Sequence, residues 1–253
     1  MNVFDMFLAG LDLVKGSLKF EWIFYPMLFS FLFFLFLVAT FFLLVVSIIY
    51  LSKYAVIYFV LMLIILLILR PLYLLYLSKW VLEKGGVEVN DITPSMVFRF
   101  SMALYSGEYF ISRSEDLVIN KPMSPEDLKI IWFYFKFLLP MGFLTAKNPS
   151  KSAQNALDAM EKVHQEVAFS ILALRIILLF MLSLSIFITI LLYIIYPSIP
   201  IFLTVLGITF IISFLFYYSL TIVVSSRLYI YSMNMSSSAV DDIKKTLMKM
   251  EAV

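Results

Sequence analysis

The apolar positions of this chain form two long blocks rather than short alternating runs. Residues Trp22–Leu82 include three basic residues and no acid, and Val167–Ser226 includes one charged residue, Arg175. The stretch between them, Glu83–Glu166, carries 20 of the 36 formal charges. Apolar runs longer than about 18 residues are typical of membrane-spanning helices. The pattern therefore predicts an integral membrane protein with a polar segment between two apolar blocks.

Each apolar block is too long for a single span. A helix over Trp22–Leu82 would be about 90 Å long, whereas the hydrocarbon core of a bilayer is about 30 Å thick. We predict that the first block turns at Leu51–Lys53 and the second at Tyr196–Pro200. The predicted spans are Trp22–Tyr50, Tyr54–Leu82, Val167–Tyr196 and Ile199–Ser226.

The predicted fold is an all-α integral membrane protein. Four transmembrane helices form two hairpins, and a helical cytoplasmic segment separates the second helix from the third. We expect five regions: an amphipathic N-terminal helix at 1–21, a transmembrane hairpin at 22–82, the cytoplasmic segment at 83–166, a second hairpin at 167–226, and an amphipathic cytoplasmic tail at 227–253.

The N-terminal helix, expected over residues 2–18, places Val3, Phe7, Leu11 and Val14 at helical spacing. An amphipathic helix beside a span is typical of the membrane interface. The alternative is a helix that packs against the polar segment.

Three helix starts divide the polar segment, each with a proline next to a capping residue: Thr93–Pro94, Ser124–Pro125 and Asn148–Pro149. We expect Pro140 and Gly142 to end the second helix, because both residues disfavour helix interiors. The third helix should run without a break into the third span.

The distribution of Lys and Arg predicts the orientation. The two short turns contain only Lys53, whereas both termini and residues 83–166 contain nearly all the other basic residues. Because cytoplasmic loops are enriched in Lys and Arg, we place both termini and residues 83–166 in the cytoplasm.

Several chemistries have no support in the sequence. There is no cysteine, and the one histidine is His164, so thiolate metal sites and bis-histidine haem within this chain are excluded. No phosphate-binding loop, metal-ligand cluster or catalytic triad motif is present. We expect no catalytic, cofactor-binding or metal-binding residue, and no enzymatic activity. The net charge of +2 gives no indication of nucleic-acid binding.

Three arginines near the cytoplasmic ends of the spans are candidate contacts for an anion or a lipid headgroup: Arg70, Arg175 and Arg227. Arg70 lies about 25 Å along the second span from the outer turn, which places it near the inner boundary of the bilayer. The alternative interpretation is that these side chains extend to phosphates of the inner leaflet without forming a site.

The second hairpin carries hydroxyl side chains that are candidates for inter-helix hydrogen bonds or for the lining of a polar path: Ser185, Thr189, Thr209, Ser213, Tyr217 and Thr221. Such residues in membrane helices commonly bond across helices or to their own backbone. No acidic residue lies in any predicted span, which argues against an ion-driven carrier.

These features favour two functional hypotheses. The first is a structural or assembly subunit of a membrane protein complex that binds partners through its cytoplasmic helices. The second is a small oligomeric permease or channel for a solute or an anion. The expected partners are membrane lipids together with other proteins or further copies of this chain.

The orientation is tested with topology reporters fused to truncated chains. Fusions after Lys53 and Pro197 should report the outside, and fusions after Gly86, Pro149 and Val253 should report the cytoplasm. An outside signal after Gly86 or Pro149 would contradict the orientation.

Overall fold

The computed structural model describes residues 3–50, 55–105, 138–147 and 151–233. Within these ranges the chain is helical and contains no strand, as predicted from the sequence. A short 3₁₀ helix at Gly16–Leu18 follows the first α-helix. The α-helices are α1 (Val3–Lys15), α2 (Phe20–Tyr50), α3 (Ala55–Lys84), α4 (Pro94–Tyr105), α5 (138–145), α6 (Ser152–Ile195) and α7 (Ile199–Ser232).

Two helical stretches are long and apolar enough to cross a membrane: Glu166–Ile195 within α6, and Ile199–Ser232. A third candidate is a bent pair, Phe7–Leu18 with Glu21–Phe36, whose two parts meet at 81°. Membrane-type helices in the second apolar block are thereby confirmed, although α7 ends at Ser232 rather than Ser226. The full set of four spans in two hairpins stays a prediction, and the turn expected at Leu51–Lys53 lies outside the described residues.

The protein core lies at one end of the long helices. Every residue from Ser219 to Ile230 in α7 is buried, whereas none from Ile190 to Ile212 is buried. The helix α7 packs against α1, α2, α3, α6 and the 3₁₀ helix. We refer to Ser219–Ile230 as the buried segment of α7. The other helices are arranged around this segment.

The first helix packs against α6 at Gly10, where the absence of a side chain allows close approach. A Cβ atom at Gly10 would overlap the backbone carbonyl of Phe169 and would lie 3.0 Å from the Cβ of Ala173. Leu13 and Val14 are buried, but Phe4 and Leu8 remain exposed. The packing partner of α1 is therefore the predicted third span, and the placement of α1 in the membrane interface stays a prediction.

The end of α3 at Gly85–Gly86 is a Schellman motif. Gly86 has φ +79°, a left-handed conformation that glycine adopts without steric cost. Its N–H donates to the Glu83 carbonyl at 2.9 Å, and the Val87 N–H donates to the Leu82 carbonyl at 3.0 Å. Val87 and Leu82 are both buried. The chain is thereby directed back toward α4.

The segment between α3 and α4 is held at three places. Asn90 contacts the end of α5, because its N–H donates to the Leu144 carbonyl and its Nδ2 to the Ala146 carbonyl, both at 2.8 Å. Lys79 Nζ lies 2.8 Å from Asp91 Oδ1, and this hydrogen bond lowers the pKa of the Asp91 carboxyl. Thr93 then caps α4 by accepting the Met96 N–H at 3.2 Å. The predicted start of α4 at Thr93–Pro94 is confirmed.

The helix expected over Ser124–Leu139 falls mostly outside the described residues, but its predicted end is wrong. Residues 138–145 are helical through Pro140 and Gly142. Burial of the neighbouring side chains outweighs the low helix propensity of Pro and Gly. Gly142 also has a packing role, because a Cβ there would overlap the Ser152 carbonyl and lie 2.9 Å from the Cβ of Ala156.

The prediction of an unbroken helix into the third span is wrong at one residue. Val163 in α6 has φ −126° and ψ 23°, which are not helical values, so the helix is kinked there. The side chain of Val163 is fully buried. Because α1 and α5 both contact α6, we interpret the kink as an adjustment to packing that has no local sequence signal.

The close approach of α1 to α6 predicts different effects for two Gly→Ala substitutions. Gly10→Ala should lower the free energy of unfolding by about 1–3 kcal/mol, because the added methyl group overpacks a backbone contact. Gly207→Ala is the matched control. A Cβ at Gly207 meets nothing within 4 Å, so alanine should stabilise α7 by up to about 1 kcal/mol. Unfolding in detergent measures both, and equal effects would contradict the crossing.

Candidate functional site

Arg70 is an exposed residue of α3. Tyr105 on α4 and Tyr218 on α7 lie close enough to influence its guanidinium. Among the described residues, the ion pairs join Lys79 to Glu83 and Asp91 and do not include Arg70. The described neighbours of this cation are therefore tyrosines rather than carboxylates.

A buried chain of hydroxyls lies one helical turn from Arg70. Tyr73 of α3 bonds to Ser30 of α2, and Ser30 Oγ lies 2.6 Å from Ser219 Oγ of α7. Ser219 in turn donates to the Leu215 carbonyl at 2.7 Å. Each hydroxyl can then donate one bond and accept one. The chain of bonds joins α2, α3 and α7.

Aromatic rings surround this hydroxyl chain. The Tyr73 ring is stacked with Phe29, Phe33 and Tyr218, with centroid separations of 5.7, 4.6 and 5.9 Å respectively. Offset stacking at such distances adds to the stabilisation from burial. The rings also exclude water from the hydroxyls, so the loss of one hydrogen-bonding partner leaves a buried polar group unsatisfied.

A groove with a volume of about 740 Å³ runs between α3 and α4. Its walls are mainly apolar and include Ile64, Ile68 and Leu72 of α3, and Phe98, Met102 and Tyr105 of α4. Tyr105 lines the groove and also lies near Arg70, whereas Arg70 itself is not among the residues that line the groove.

Two hydroxyls that line the groove already have backbone partners. Ser101 Oγ donates to the Val97 carbonyl at 2.7 Å, and Thr93 Oγ1 accepts the Met96 N–H. Their polar atoms are engaged within α4 and its cap. Apart from the hydroxyls of Tyr76 and Tyr105, the surface offered to a ligand is therefore mainly apolar.

Arg227 occupies a different environment from Arg70. Only 1% of its surface is exposed, and Nη1 donates to Ser17 Oγ at 2.7 Å. The guanidinium lies 5.6 Å from the Trp22 ring, and Lys84 Nζ lies 4.8 Å from the same ring. Two cations therefore contact one indole. A contact of Arg227 with an anion or a lipid stays a prediction.

Arg175 is exposed on α6, which packs against α1 and α7. The partners of Arg70 lie on α4 and α7. The helices of the two arginines share α7 as a neighbour, but α6 also contacts α1 whereas α3 also contacts α2 and α4. Their equal depth in the membrane and their joint role in anion binding stay predictions.

The candidate hydroxyls of the second hairpin lie on α6 and α7. Ser185 Oγ and Ser213 Oγ are 3.4 Å apart across the two helices, and both side chains are buried. Tyr217 is half-buried in α7. Ser185, Thr189, Thr209, Ser213 and Thr221 each donate to a backbone carbonyl four residues earlier in the same helix.

Sequence reasoning missed Ser30, Tyr73, Tyr105, Tyr218 and Ser219. These hydroxyl residues lie in or beside apolar runs, where such residues are common, and this is a weak signal. Their importance comes from contacts between helices, whose relative rotation the hydrophobic pattern does not specify.

Comparison with known proteins does not assign the chain to a family. No protein-family model matches it, and no curated protein and no solved structure matches it either. The interpretation of the site rests on its own residues and geometry.

The buried hydroxyl chain predicts a specific effect of Tyr73→Phe. The ring remains while the bond to Ser30 is lost, so stability should fall by about 0.6–1.7 kcal/mol, the range for hydrogen bonds between membrane helices. Tyr196→Phe is the control, because Tyr196 is exposed at the turn between α6 and α7. Denaturant titration in detergent measures both, and an equally small effect of the two substitutions would exclude a structural role for the Tyr73 hydroxyl.

Proposed function

We propose that the protein is a non-catalytic assembly subunit of a membrane protein complex. The observation that carries this proposal is the contrast between the two ends of α6 and α7. At one end, the buried segment of α7 joins five other elements of the fold, whereas Ile190–Ile212 at the other end has no buried residue. We refer to the buried segment of α7 and the elements packed against it as the base. The other end, Ile190–Ile212, exposes its surface to the surroundings.

The exposed end of the hairpin carries large apolar side chains, including Phe180, Phe187, Ile194 and Leu203. In a bilayer such a surface is compatible with lipid and with a partner helix, because lipid tails are as apolar as leucine. In water the same surface would far exceed the apolar patches of soluble monomers. This supports a membrane location and leaves room for partner helices.

A surface for a protein partner on the base is supplied by α1. Phe4 is 65% exposed, and Leu8, one turn later on the same face, is also exposed. With the predicted orientation, this face of α1 lies at the cytoplasmic surface of the membrane. An aromatic and an aliphatic anchor at this spacing are suited to a partner helix or groove.

The hydroxyls of α6 and α7 also favour an assembly role rather than the lining of a polar path. Five of the six candidates donate their proton to a backbone carbonyl of their own helix. A hydroxyl bonded in this way needs no water to satisfy it. The permease or channel hypothesis would require these groups to face a path formed by several copies.

The proposal is tested by photo-crosslinking in native membranes. A benzophenone amino acid at Phe4 should form an adduct with a different protein, because this side chain is exposed on the proposed binding face. The control is the same probe at Lys147, which is exposed after α5 and is not part of α1. An adduct of twice the chain's mass would instead favour the oligomeric channel. The absence of any protein adduct specific to Phe4 would contradict the assembly role.

A further inference from the structure

We propose that the hydrocarbon core of the bilayer surrounds α2, α3, α6 and α7 on only one side of the Ser30–Tyr73–Ser219 hydroxyl chain, and that the base lies outside this core. We refer to the side of the hydroxyl chain that carries Tyr50 and Ile199 as the outer side. The inference requires a membrane but not the assembly role, so it can fail without affecting the proposed function.

Two sets of buried contacts show how the helices are aligned. The hydroxyl chain joins α2, α3 and α7 at one level, and Trp22, Val81 and Val223 meet at a second level inside the base. From the first level to the second, residue numbers fall in α2 and rise in α3 and α7. The end of α2 and the beginnings of α3 and α7 therefore all lie on the outer side.

The helices extend beyond the hydroxyl chain by about the thickness of one bilayer. Ser30–Tyr50 of α2 and Ile199–Ser219 of α7 are each about 30 Å long at 1.5 Å per residue, and Ala55–Tyr73 of α3 is about 27 Å long. The hydrocarbon core of a bilayer is about 30 Å thick. A span over the whole of Trp22–Tyr50 would be about 43 Å long and would exceed this thickness.

The residues buried between helices differ on the two sides of the hydroxyl chain. On the outer side, the described side chains that are buried belong to Ser185, Thr189 and Ser213. In the base they include large apolar side chains such as Leu75 and Phe100. Contacts between helices in lipid favour small residues, because lipid tails are as apolar as leucine. Burial of large apolar side chains is favourable when the alternative is water. The base therefore has the core of a protein domain in water.

The distribution of charge supports the same boundary. Ile176–Ser226 contains no charged residue. In the base, Lys79 of α3 forms ion pairs with Asp91 and Glu83, and both acidic residues are exposed. Exposed carboxylates are costly in hydrocarbon. We infer that α3 leaves the hydrocarbon core before Lys79.

Arg70 and Arg175 lie near the level of the hydroxyl chain. Arg70 precedes Tyr73 by about one turn of α3. The contact between Ser185 and Ser213 aligns α6 with α7 and places Arg175 about one turn to the base side of the hydroxyl chain. Both arginines are exposed, and their long side chains can extend to the phosphates of the adjacent leaflet. Their positive charge is complementary to anionic phosphates at this boundary.

Spin labels at matched single cysteines test the proposal in the protein reconstituted into phosphatidylcholine vesicles. Phe24 and Phe36 of α2 are 51% and 50% exposed, but they lie on opposite sides of the hydroxyl chain. Because the chain has no cysteine, each substitution gives a single label. Collisions with oxygen, which concentrates in hydrocarbon, are compared with collisions with a water-soluble nickel complex. The ratio of oxygen to nickel collisions should be several-fold higher at Phe36→Cys than at Phe24→Cys.

A second pair on α3 repeats the comparison if a variant of α2 does not fold. Ile64 and Tyr76 are 47% and 51% exposed, and Ile64 lies on the outer side whereas Tyr76 lies in the base. The ratio should be higher at Ile64→Cys than at Tyr76→Cys.

Two results would overturn the proposal. Ratios that are equally dominated by oxygen at Phe24→Cys and Phe36→Cys would show that hydrocarbon surrounds the base. Ratios dominated by the nickel complex at both positions would show that the outer side does not face lipid. The assembly role is judged separately, by the crosslinking experiment at Phe4.

Discussion

Burial of twelve consecutive residues of α7, Ser219–Ile230, is the constraint on which the rest of the fold depends. This segment includes Arg227, and a buried charge is costly unless its environment is well arranged. Ser17 of the 3₁₀ helix and Trp22 of α2 supply part of that environment. The path of the chain from α1 to α2 is therefore tied to α7, and this connection brings α1 to its close contact with α6.

The same central helix determines the surroundings of Arg70. Ser219 belongs to the same hydroxyl chain as Tyr73, and Tyr218 is stacked on the Tyr73 ring and lies near Arg70. The position of Arg70 thus depends on the packing of α3 against α7. The groove depends in addition on α4, which the Schellman motif at Gly86 and the Thr93 cap direct along α3. Arg70 and the groove therefore lie at the edge of the protein core.

Local signals in the sequence predicted the helical class, the membrane-type helices of the second apolar block and the capped start of α4. They failed where tertiary packing outweighs local preference. Helix 138–145 continues through Pro140 because its other side chains are buried, and α6 bends at Val163, a residue with no breaking tendency of its own. The candidate arginines could be found as isolated charges in apolar runs. The tyrosines around Arg70 could not, because their proximity depends on how the helices are rotated against each other.

The central feature of the fold is the contrast along α7, which is enclosed by protein at Ser219–Ile230 and has no buried residue from Ile199 to Ile212. Spin labels at successive single cysteines along α7, in a chain that otherwise has none, measure collision with oxygen at each position. Labels on exposed positions between Ile201 and Ile212 should collide readily with oxygen, which concentrates in the bilayer. Labels between Ser219 and Ile230 should be shielded from oxygen and from water-soluble reagents alike. High oxygen accessibility throughout Ser219–Ile230 would show that lipid rather than protein surrounds this segment and would contradict the fold on which the site is built.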